Sequence, residues 1–390
     1  MTTLDDIPGN PPPAETEDES DVYRDDRTWA IDTIAAIRDE LRPERTKLTR
    51  IPLPDAFEQN GLTLHVKREA EQPSGSHKHR LAAALLTHAV SSGWLSRNQP
   101  VVEASSGSTA ISEAWYCQKL KIPFYAVVPA GTAKEKLQAI RDLDGAVIPT
   151  TGDIVQHARR VAARYDGHFM DQFTYAERAY DWRGTEGLAQ ELLDDLKDLK
   201  WFVMGAGTGG TATSVARHAR YSGSRLRVCV PDPDHSAFFD GWYWRDPTVT
   251  DQGSLIEGIG RPRVEASFVP ATVNRMIRAH DAASVATMRV LAKGDWNIQA
   301  GPSTGTGVFG AIRVLLGMLK AGESGGVATV MCDPASRYTN EYYDDAWLKE
   351  KKIDYKPWVP TIETFFETGE WAPPAAFQPV PRPAAALWNM

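Results

Sequence analysis

Short apolar segments alternate with longer amphipathic segments along most of this chain, and that alternation limits the fold more than any other feature. The short segments have the length of buried strands, and the longer ones repeat apolar residues at helical spacing. Strands are predicted at 62–66, 100–104, 123–129, 146–149, 201–204, 226–230 and 327–332. Helices are predicted at 29–41, 109–121, 133–143, 211–220 and 308–319, and also from residue 78 and before residue 164. This order predicts an α/β fold of parallel sheets with helices on both faces.

The composition argues against several classes of function. The chain has 390 residues, 42% of them hydrophobic and 24% charged, which is typical of an enzyme large enough for two domains. A formal net charge of −8 argues against nucleic acid or an anionic membrane as the main partner. No apolar run approaches the roughly 20 residues that span a bilayer, and the acidic N-terminus is unlike a secretory signal. We therefore expect a cytoplasmic protein.

The cysteines and the segments outside the repeated pattern give further expectations. Cys117, Cys229 and Cys332 show no metal-ligand spacing, so neither a metal site nor a disulfide is expected. Residues 1–26 are rich in Pro, Asp and Glu and are predicted to form a mobile arm. Residues 238–260 are predicted to be an irregular functional loop. The proline-rich tail, 351–390, is predicted to wrap a neighbour or the surface.

One lysine lies in a setting that suits chemistry. Lys78 follows a predicted strand and begins a predicted helix, and Gly75 breaks the strand before it. Ser74 and Ser76 could cap free amides at this turn, where a phosphate could also bind. The alternative interpretation is an ordinary surface lysine. We assign no role to the neighbouring His77.

The first of two loops between a predicted strand and a predicted helix is rich in hydroxyl groups, and we name it the serine loop. It consists of Ser105, Ser106, Gly107, Ser108 and Thr109. Hydroxyls and exposed amides at the start of a helix form an anion site, which suits a carboxylate. A capped helix N-terminus without a ligand is the alternative.

The second loop, residues 205–211, is rich in glycine, and we name it the glycine loop. Its letters match the G-x-G-x-x-G dinucleotide fingerprint, and Asp232 ends the next strand about twenty residues later. The same turn geometry also cradles a single phosphate. Several α/β units precede the loop, and Thr208 and Thr211 add donors, so a monophosphate is favoured.

Taken together, these motifs resemble the fold-type II pyridoxal-phosphate enzymes, the cysteine synthase and cystathionine β-synthase family, over residues 45–350. The family's lysine turn matches Pro73, Gly75, Ser76, Lys78 and Arg80, and its carboxylate loop matches Ser105, Ser106, Gly107 and Thr109. Its phosphate-binding loop matches Gly207, Thr208, Gly209, Gly210 and Thr211. Further matches are Gln172 with Phe173, residues 257–260, and Arg337 with Tyr338.

The resemblance implies an architecture like that of the tryptophan synthase β subunit, with pyridoxal 5′-phosphate as cofactor and a homodimer as the assembly. A large cofactor domain would comprise 27–85 and 186–350, and a small substrate domain would comprise 86–185. Lys78 would be the catalytic residue and would bond to the cofactor. Further cofactor contacts would come from Ser108, Gly207, Thr208, Gly209, Gly210, Thr211 and Asp333. Substrate contacts would come from Ser105, Ser106, Gly107, Thr109, Gln172 and Gly258.

Within the family, the chain looks similar to the bacterial L-cysteine desulfhydrase branch, through residues 232–242 and 258–265. Ser108 replaces an asparagine that usually contacts the cofactor. Asp333 stands where synthases place a serine near the pyridine nitrogen, and a carboxylate there would strengthen the electron sink. Arg261 and Arg263 could bind a second carboxylate or pair with acidic residues. Asp240 in the irregular loop, and His235 just before it, could line the entrance.

The narrower resemblance favours β-elimination on L-cysteine or a related β-substituted amino acid. The products would be sulfide, or another leaving group, with pyruvate and ammonia. A β-replacement synthase shares the steps up to loss of the β-substituent and is the main alternative. A nicotinamide-dependent oxidoreductase would use residues 205–210 and Asp232 but leaves Lys78 unexplained. An inactive family member that only binds a partner would not need Lys78 and the glycine loop intact.

Overall fold

The strands form two separate sheets. The computed structural model describes residues 19–294, 296 and 298–375, with side chains from residue 26 onward. The larger sheet has the strand order β1 (Leu48–Ile51), β2 (Leu62–Lys67), β10 (Gly325–Val330), β7 (Leu199–Val203), β8 (Arg227–Pro233) and β9 (Arg275–Ala279). The smaller sheet has the order β5 (Ala146–Thr150), β4 (Phe124–Pro129), β3 (Val101–Ala104) and β6 (His168–Phe169). Of the strand pairs in the described part of the chain, β1 with β2 is antiparallel and the others are parallel.

The helices connect and cover these strands. The first seven are α1 (Glu19–Ala35), α2 (Asp55–Glu58), α3 (Lys78–Ser91), α4 (Ser108–Leu120), α5 (Lys134–Arg141), α6 (Ile154–Arg164) and α7 (Gln172–Ala179). The next seven are α8 (Leu188–Asp195), α9 (Gly210–Tyr221), α10 (Ala237–Trp244), α11 (Asp281–Lys293), α12 (Pro302–Ala321), α13 (Asp345–Glu350) and α14 (Val359–Thr368). None of these helices is long and apolar enough to span a bilayer.

The larger sheet is buried on both faces, as a parallel sheet covered by helices requires. Because successive residues of a strand point to opposite faces, Phe202 and Val203 enter different hydrophobic clusters. Val203 packs in the cluster that α11 and α12 share, and Phe202 packs in the cluster that α8 and α9 share. The predicted α/β fold with helices on both faces is confirmed. The smaller sheet lies within the predicted small domain, whose boundaries stay a prediction.

At both ends of the described chain, helical structure extends beyond what the sequence predicted. Helix α1 begins at Glu19, so residues 19–26 of the predicted mobile arm are helical, and residues 1–18 lie outside the described residues. At the other end, α14 packs against α11 and contributes the buried Ile362 and Phe365 to the core. This part of the predicted tail covers its own chain, and residues 376–390 lie outside the described residues.

The segment 238–260, predicted to be irregular, begins inside a helix. In α10 the Ser236 hydroxyl accepts a hydrogen bond from the N–H of Phe238 and caps the first turn. Phe238 and Phe239 are buried, so their aromatic rings form the apolar face of a helix. The prediction was therefore wrong for residues 238–244, while the chain that follows α10 up to Gly260 has no regular helix or strand.

Candidate active site

Lys78 is the first residue of α3 and lies at the turn that follows β2. Gly75 has a φ of 72°, in the left-handed region, which a glycine adopts without strain. The backbone N–H of Lys78 donates to Ser76 Oγ at 3.1 Å. Burial lowers the pKa of the Lys78 amine, and no described residue accepts a hydrogen bond from its Nζ. An amine in this state is suited to bond formation or proton transfer.

A buried chain of hydrogen bonds holds this turn against α4. Ser112 Oγ lies 2.8 Å from Ser74 Oγ, which lies 3.0 Å from His79 Nδ1. His79 Nε2 lies 2.9 Å from the Tyr116 hydroxyl, and that hydroxyl donates to the Leu41 carbonyl at 2.9 Å. Burial lowers the pKa of His79 to about 4, so its ring is neutral at pH 7 and carries one proton. Because Leu41 takes the Tyr116 proton, the proton of His79 lies on Nε2 and Ser74 donates to Nδ1.

The glycine loop leaves no room for side chains. A Cβ on Gly207 would lie 2.1 Å from the carbonyl oxygen of Gly258, and a Cβ on Gly209 would lie 2.5 Å from the Cβ of Phe268. Helix α9 starts at Gly210, and its first N–H groups have no acceptor within the helix. Bare backbone at the N-terminus of a helix is the arrangement that binds a phosphate.

A cavity joins the Lys78 turn to the glycine loop. Part of its lining comes from Arg80, Tyr180, Thr208, Gly210 and Thr211. His77 and Ser214 also line it, and two of their atoms, His77 Nδ1 and Ser214 Oγ, are buried without a partner among the described residues. Burial and the nearby Lys78 lower the pKa of His77 to about 4, so its ring is neutral at pH 7. The cavity thus presents unused polar atoms beside the free amides, which fits a polar ligand that carries a phosphate.

The serine loop follows β3 and leads into α4, as predicted. Thr109 Oγ1 donates to Gln172 Oε1 at 2.8 Å, so two predicted substrate residues from different elements lie together. Gly107 N–H donates to Ser105 Oγ at 3.3 Å, and Ser106 between them is half-buried. Helix α4 begins at Ser108, so its free amides face the same loop.

Residues 257–260 lie between the two loops and contact both. Gly258 presents its carbonyl oxygen to Gly207 of the glycine loop. A Glu257 carboxylate oxygen would lie 3.4 Å from a Cβ on Gly107 of the serine loop. The structure therefore places the predicted substrate residue Gly258 against the glycine loop, and Glu257 against the serine loop.

Ser108 and Asp333 meet across the site, although they come from opposite ends of the chain. Ser108 Oγ donates to Asp333 Oδ1 at 2.6 Å, and Arg337 Nη1 donates to the same oxygen at 3.1 Å. Arg337 also donates to the Ser74 carbonyl of the lysine turn at 2.7 Å. Burial opposes ionisation, but Arg337 and His77 hold the pKa of Asp333 below its ordinary value. The predicted cofactor contacts of both residues stay predictions.

Arg261 and Arg263 share one acidic partner. Arg261 Nε donates to one oxygen of Glu265 at 2.9 Å, and Arg263 Nε donates to the other at 3.2 Å. The Arg261 guanidinium stacks 4.2 Å from the centre of the Phe173 ring, and its charge adds to the effects that lower the pKa of Lys78. Pairing with an acidic residue is thus satisfied for both arginines, while a role in binding a second carboxylate is untested.

The residues proposed to line the entrance have partners of their own. His235 Nδ1 lies 3.7 Å from a carboxylate oxygen of Asp251, and Asp240 accepts a hydrogen bond from Arg278. Both side chains are partly exposed. Among the described residues, neither side chain forms a hydrogen bond or an ion pair with the Lys78 turn or with the two loops.

The sequence did not reveal Lys136, which joins both halves of the site. Its ammonium donates to Glu341 Oε1 at 2.9 Å and also pairs with Glu257. Lys136 lies on α5, beside the smaller sheet, whereas Glu257 and Glu341 follow strands of the larger sheet. The ion pairs span 121 and 205 residues of sequence, and no local motif marks them.

The dinucleotide interpretation fails at Asp232. This carboxyl group is 1% exposed, and its Oδ2 accepts a hydrogen bond from the N–H of Phe239 at 2.7 Å. It supports the start of α10 and cannot reach a ribose hydroxyl. Cys117, Cys229 and Cys332 are buried free thiols, and the described residues contain no group of His, Cys, Asp and Glu side chains that could hold a metal.

The chain belongs to the pyridoxal-phosphate dependent enzyme family, whose model matches residues 41–333. The resemblance drawn from the motifs is confirmed, and pyridoxal phosphate is the cofactor of this family. L-cysteine desulfhydrase Cds1 of Mycobacterium tuberculosis is 42% identical over 342 residues, which cover 84% of this chain and 92% of that protein. Cysteine synthase B of Escherichia coli is 27% identical over 288 residues, which cover 72% and 87%.

A solved structure shares the architecture. The crystal structure of O-ureido-L-serine synthase superposes with a TM-score of 0.67 and 24% identity, over 82% of this chain and 98% of that one. At this identity the likeness establishes the fold alone, and it agrees with the fold-type II architecture expected from the motifs.

Proposed function

We propose that this enzyme catalyses β-elimination on L-cysteine or a related β-substituted amino acid. The observation that carries the proposal is the setting of Lys78, an amine of lowered pKa. The turn of Lys78 lines the cavity at the glycine loop, and Arg337 joins the same turn to Ser108 of the serine loop. The 42% identity to a desulfhydrase favours elimination over other reactions of the family. A homodimer in the cytoplasm is part of the proposal and rests on the family resemblance.

The cofactor would be held by residues of the larger sheet. Gly207, Thr208, Gly209, Gly210 and Thr211 would bind its phosphate, and Lys78 would bond to its aldehyde carbon. Bound pyridoxal phosphate supplies an electron sink that stabilises negative charge at the substrate Cα. Ser108 and Asp333 are proposed to contact the cofactor from the other side.

The substrate carboxylate would bind in the serine loop. Ser105, Ser106, Gly107 and Thr109 offer hydroxyls and amides, and Gln172 and Gly258 close the site beside them. Anchoring the carboxylate at a helix N-terminus fixes the direction of the Cα–H bond. That orientation is what places the proton within reach of a base.

Lys78 is the base in this proposal. Burial lowers the pKa of its amine, so a larger fraction is neutral at pH 7 and can take the Cα proton. The Cβ–S bond then breaks, and its electron pair leaves with sulfur as a thiolate. The released enamine gains a proton at Cβ and is hydrolysed by one water to pyruvate and ammonia. The sum is L-cysteine and water giving hydrogen sulfide, pyruvate and ammonia.

The main alternative is β-replacement, in which a second nucleophile adds at Cβ after the thiolate or another group has left. The 27% identity to cysteine synthase B supports β-replacement as an alternative. Both reactions need the same base and the same anion sites, so the site residues are compatible with either one.

The purified enzyme, loaded with pyridoxal phosphate, should show a visible absorption band and release sulfide and pyruvate from L-cysteine in equal amounts. Lys78→Ala should lose both the covalent attachment and turnover. A spectral change without pyruvate, followed by product on adding a nucleophile, would identify a synthase. Full activity of Lys78→Ala would refute the assignment of the base.

A further inference from the structure

Two glutamates lie behind the serine loop, in the protein interior. Glu103 is the third residue of β3, and Glu113 lies in the second turn of α4. Both side chains have no exposed surface at all. Buried glutamates are rare without a charged partner, so each requires an explanation of its charge.

Glu103 is satisfied by backbone donors. Its Oε1 accepts from the N–H of Ala104 at 2.6 Å, and its Oε2 accepts from the N–H of Gln172 at 3.2 Å. Two backbone donors stabilise a carboxylate. Through them Glu103 ties the end of β3 to the first residue of α7, which is the residue that meets Thr109.

Glu113 has no such donors. Neither of its oxygens meets an N–H or O–H donor among the described residues, and its side-chain hydrogen-bond contact is with the Glu103 carboxyl. Two ionised carboxylates cannot hydrogen-bond to one another, so one of the pair must carry a proton. Glu103 already accepts two N–H bonds, which places the proton on Glu113.

We propose that Glu113 is held as a neutral carboxylic acid that donates to Glu103, and that this pair fixes the substrate-carboxylate site. Glu113 acts here as a positioning residue, through Glu103 and Gln172. This role of Glu113 belongs to the function proposed above, and it depends on that function only in experiments that measure turnover of L-cysteine. Loss of the proton would set two negative charges side by side and would push Glu103 away from the Gln172 N–H.

The charges around the pair favour a bound proton. Burial raises the pKa of Glu113 well above its ordinary value, and Glu103 raises it further. Burial also raises the pKa of Glu103, but its two backbone donors oppose that rise, which favours Glu113 as the site of the proton. Three other titratable groups act on the pair. Lys78 favours ionisation of Glu113, and Asp171 opposes ionisation of Glu103. The third is the buried Cys117 thiol, whose own pKa Glu113 raises. One positive charge in this set is too little to ionise both glutamates.

Infrared spectroscopy tests the proton directly. The holoenzyme at neutral pH should show the carbonyl stretch of protonated carboxylic acids, and the difference spectrum between wild type and Glu113→Gln should show the loss of one component of that band. The matched control is Glu135→Gln on the exposed surface of α5, which should leave that band in place. If Glu113→Gln showed the same carbonyl band as wild type, the proposal would be overturned, whether or not the enzyme turns over L-cysteine.

Ligand binding tests the positioning role. Glutamine keeps an N–H donor for Glu103, so Glu113→Gln should bind L-alanine, a substrate analogue without a leaving group, as wild type does. Methionine keeps the volume but not the donor, and Glu113→Met should weaken L-alanine binding about tenfold, as the loss of one buried hydrogen bond predicts. Binding is read from the visible spectrum of the holoenzyme. Unchanged affinity in Glu113→Met would overturn the proposal.

The pH profile separates this role from a merely structural one. In wild type, KM for L-cysteine should rise at alkaline pH as the pair loses its proton, and in Glu113→Gln this rise should be absent. A Glu113→Gln enzyme that keeps the alkaline rise would refute the proposal even if Glu113→Met does not fold. If neither the wild type nor any variant releases pyruvate from L-cysteine, the proposed function is wrong. The infrared and L-alanine experiments still test the proposed role of Glu113 in that case.

Discussion

The glycine loop and the serine loop are both strand-to-helix turns, but they are shaped by different forces. In the glycine loop, neighbouring backbone fills the space that a side chain would need: a Cβ on Gly207 would meet a carbonyl oxygen at 2.1 Å. In the serine loop, apart from its chain neighbours, a Cβ on Gly107 would meet one atom of the described residues within 4 Å, a Glu257 carboxylate oxygen at 3.4 Å. The cofactor side is therefore defined by close packing, and the substrate side by polar side chains that can adjust.

The two loops also differ in what holds them. The glycine loop lies between β7 and α9. Its close contacts come from Gly258, Ile259 and Phe268, which follow β8 of the larger sheet, and from Ala176 of α7. The serine loop belongs to the smaller sheet, yet Ser108 bonds to Asp333 beyond β10, and Lys136 reaches Glu257 and Glu341. We infer that the cofactor site rests mainly on elements of the larger sheet, with further contacts from α7, whereas the substrate site is complete only when the units built on the two sheets meet.

Alanine at Gly207 should break the cofactor side. The new Cβ would force the backbone of Gly258 to move, and overpacking of this kind costs about 1–3 kcal/mol. We expect affinity for pyridoxal phosphate to fall about tenfold to a hundredfold, measured by titrating the apoenzyme and following visible absorption.

The matched control for that change is Gly107→Ala in the serine loop. Gly107 has a φ of −108°, which any residue adopts, and among the described residues an added Cβ would meet the end of a flexible side chain, that of Glu257. Cofactor affinity should stay near that of wild type, and any loss should be in KM for L-cysteine. Equal losses of cofactor affinity in both variants would contradict the contrast between the loops.

Replacing Lys136 by methionine should weaken the substrate side alone. The change leaves Glu257 and Glu341 without their shared cation, and for a partly exposed pair we expect a cost of about 1–2 kcal/mol. KM for L-cysteine should therefore rise about tenfold, while affinity for pyridoxal phosphate stays unchanged.

Lys134→Met on the same helix is the control, because Lys134 is exposed and makes no ion pair among the described contacts. It should leave KM unchanged. If Lys136→Met lowered cofactor affinity as much as it raised KM, the ion pairs of Lys136 would stabilise the whole fold and would not act specifically on the contact between the two units.

The same contrast explains what the sequence could predict. Lys78 and the glycine loop are visible because a turn, a glycine pattern and a helix start are all local features. The bonds of Lys136, or of Ser108 with Asp333, join residues more than one hundred positions apart, and nothing in either segment indicates the other. Glu103 and Glu113 were missed for a related reason, since a glutamate in a strand or a helix looks exposed until packing buries it. Helix α10 was missed because its aromatic residues and Gly241 suggested a loop.

The smallest effect is expected at the arginines beside the site. Burial is the main cause of the lowered pKa of Lys78, and the positive charge of Arg261 adds to it. Arg261→Gln should therefore raise the pKa of the Lys78 amine, so the rise of kcat with pH, which follows loss of the proton from this base, should move to higher pH. Arg263 binds the same Glu265 but is 48% exposed, and Arg263→Gln should leave the profile in place because water screens its charge. A shift of the same size in both variants would mean that the ion pairs with Glu265, and not the charge of Arg261, govern the base.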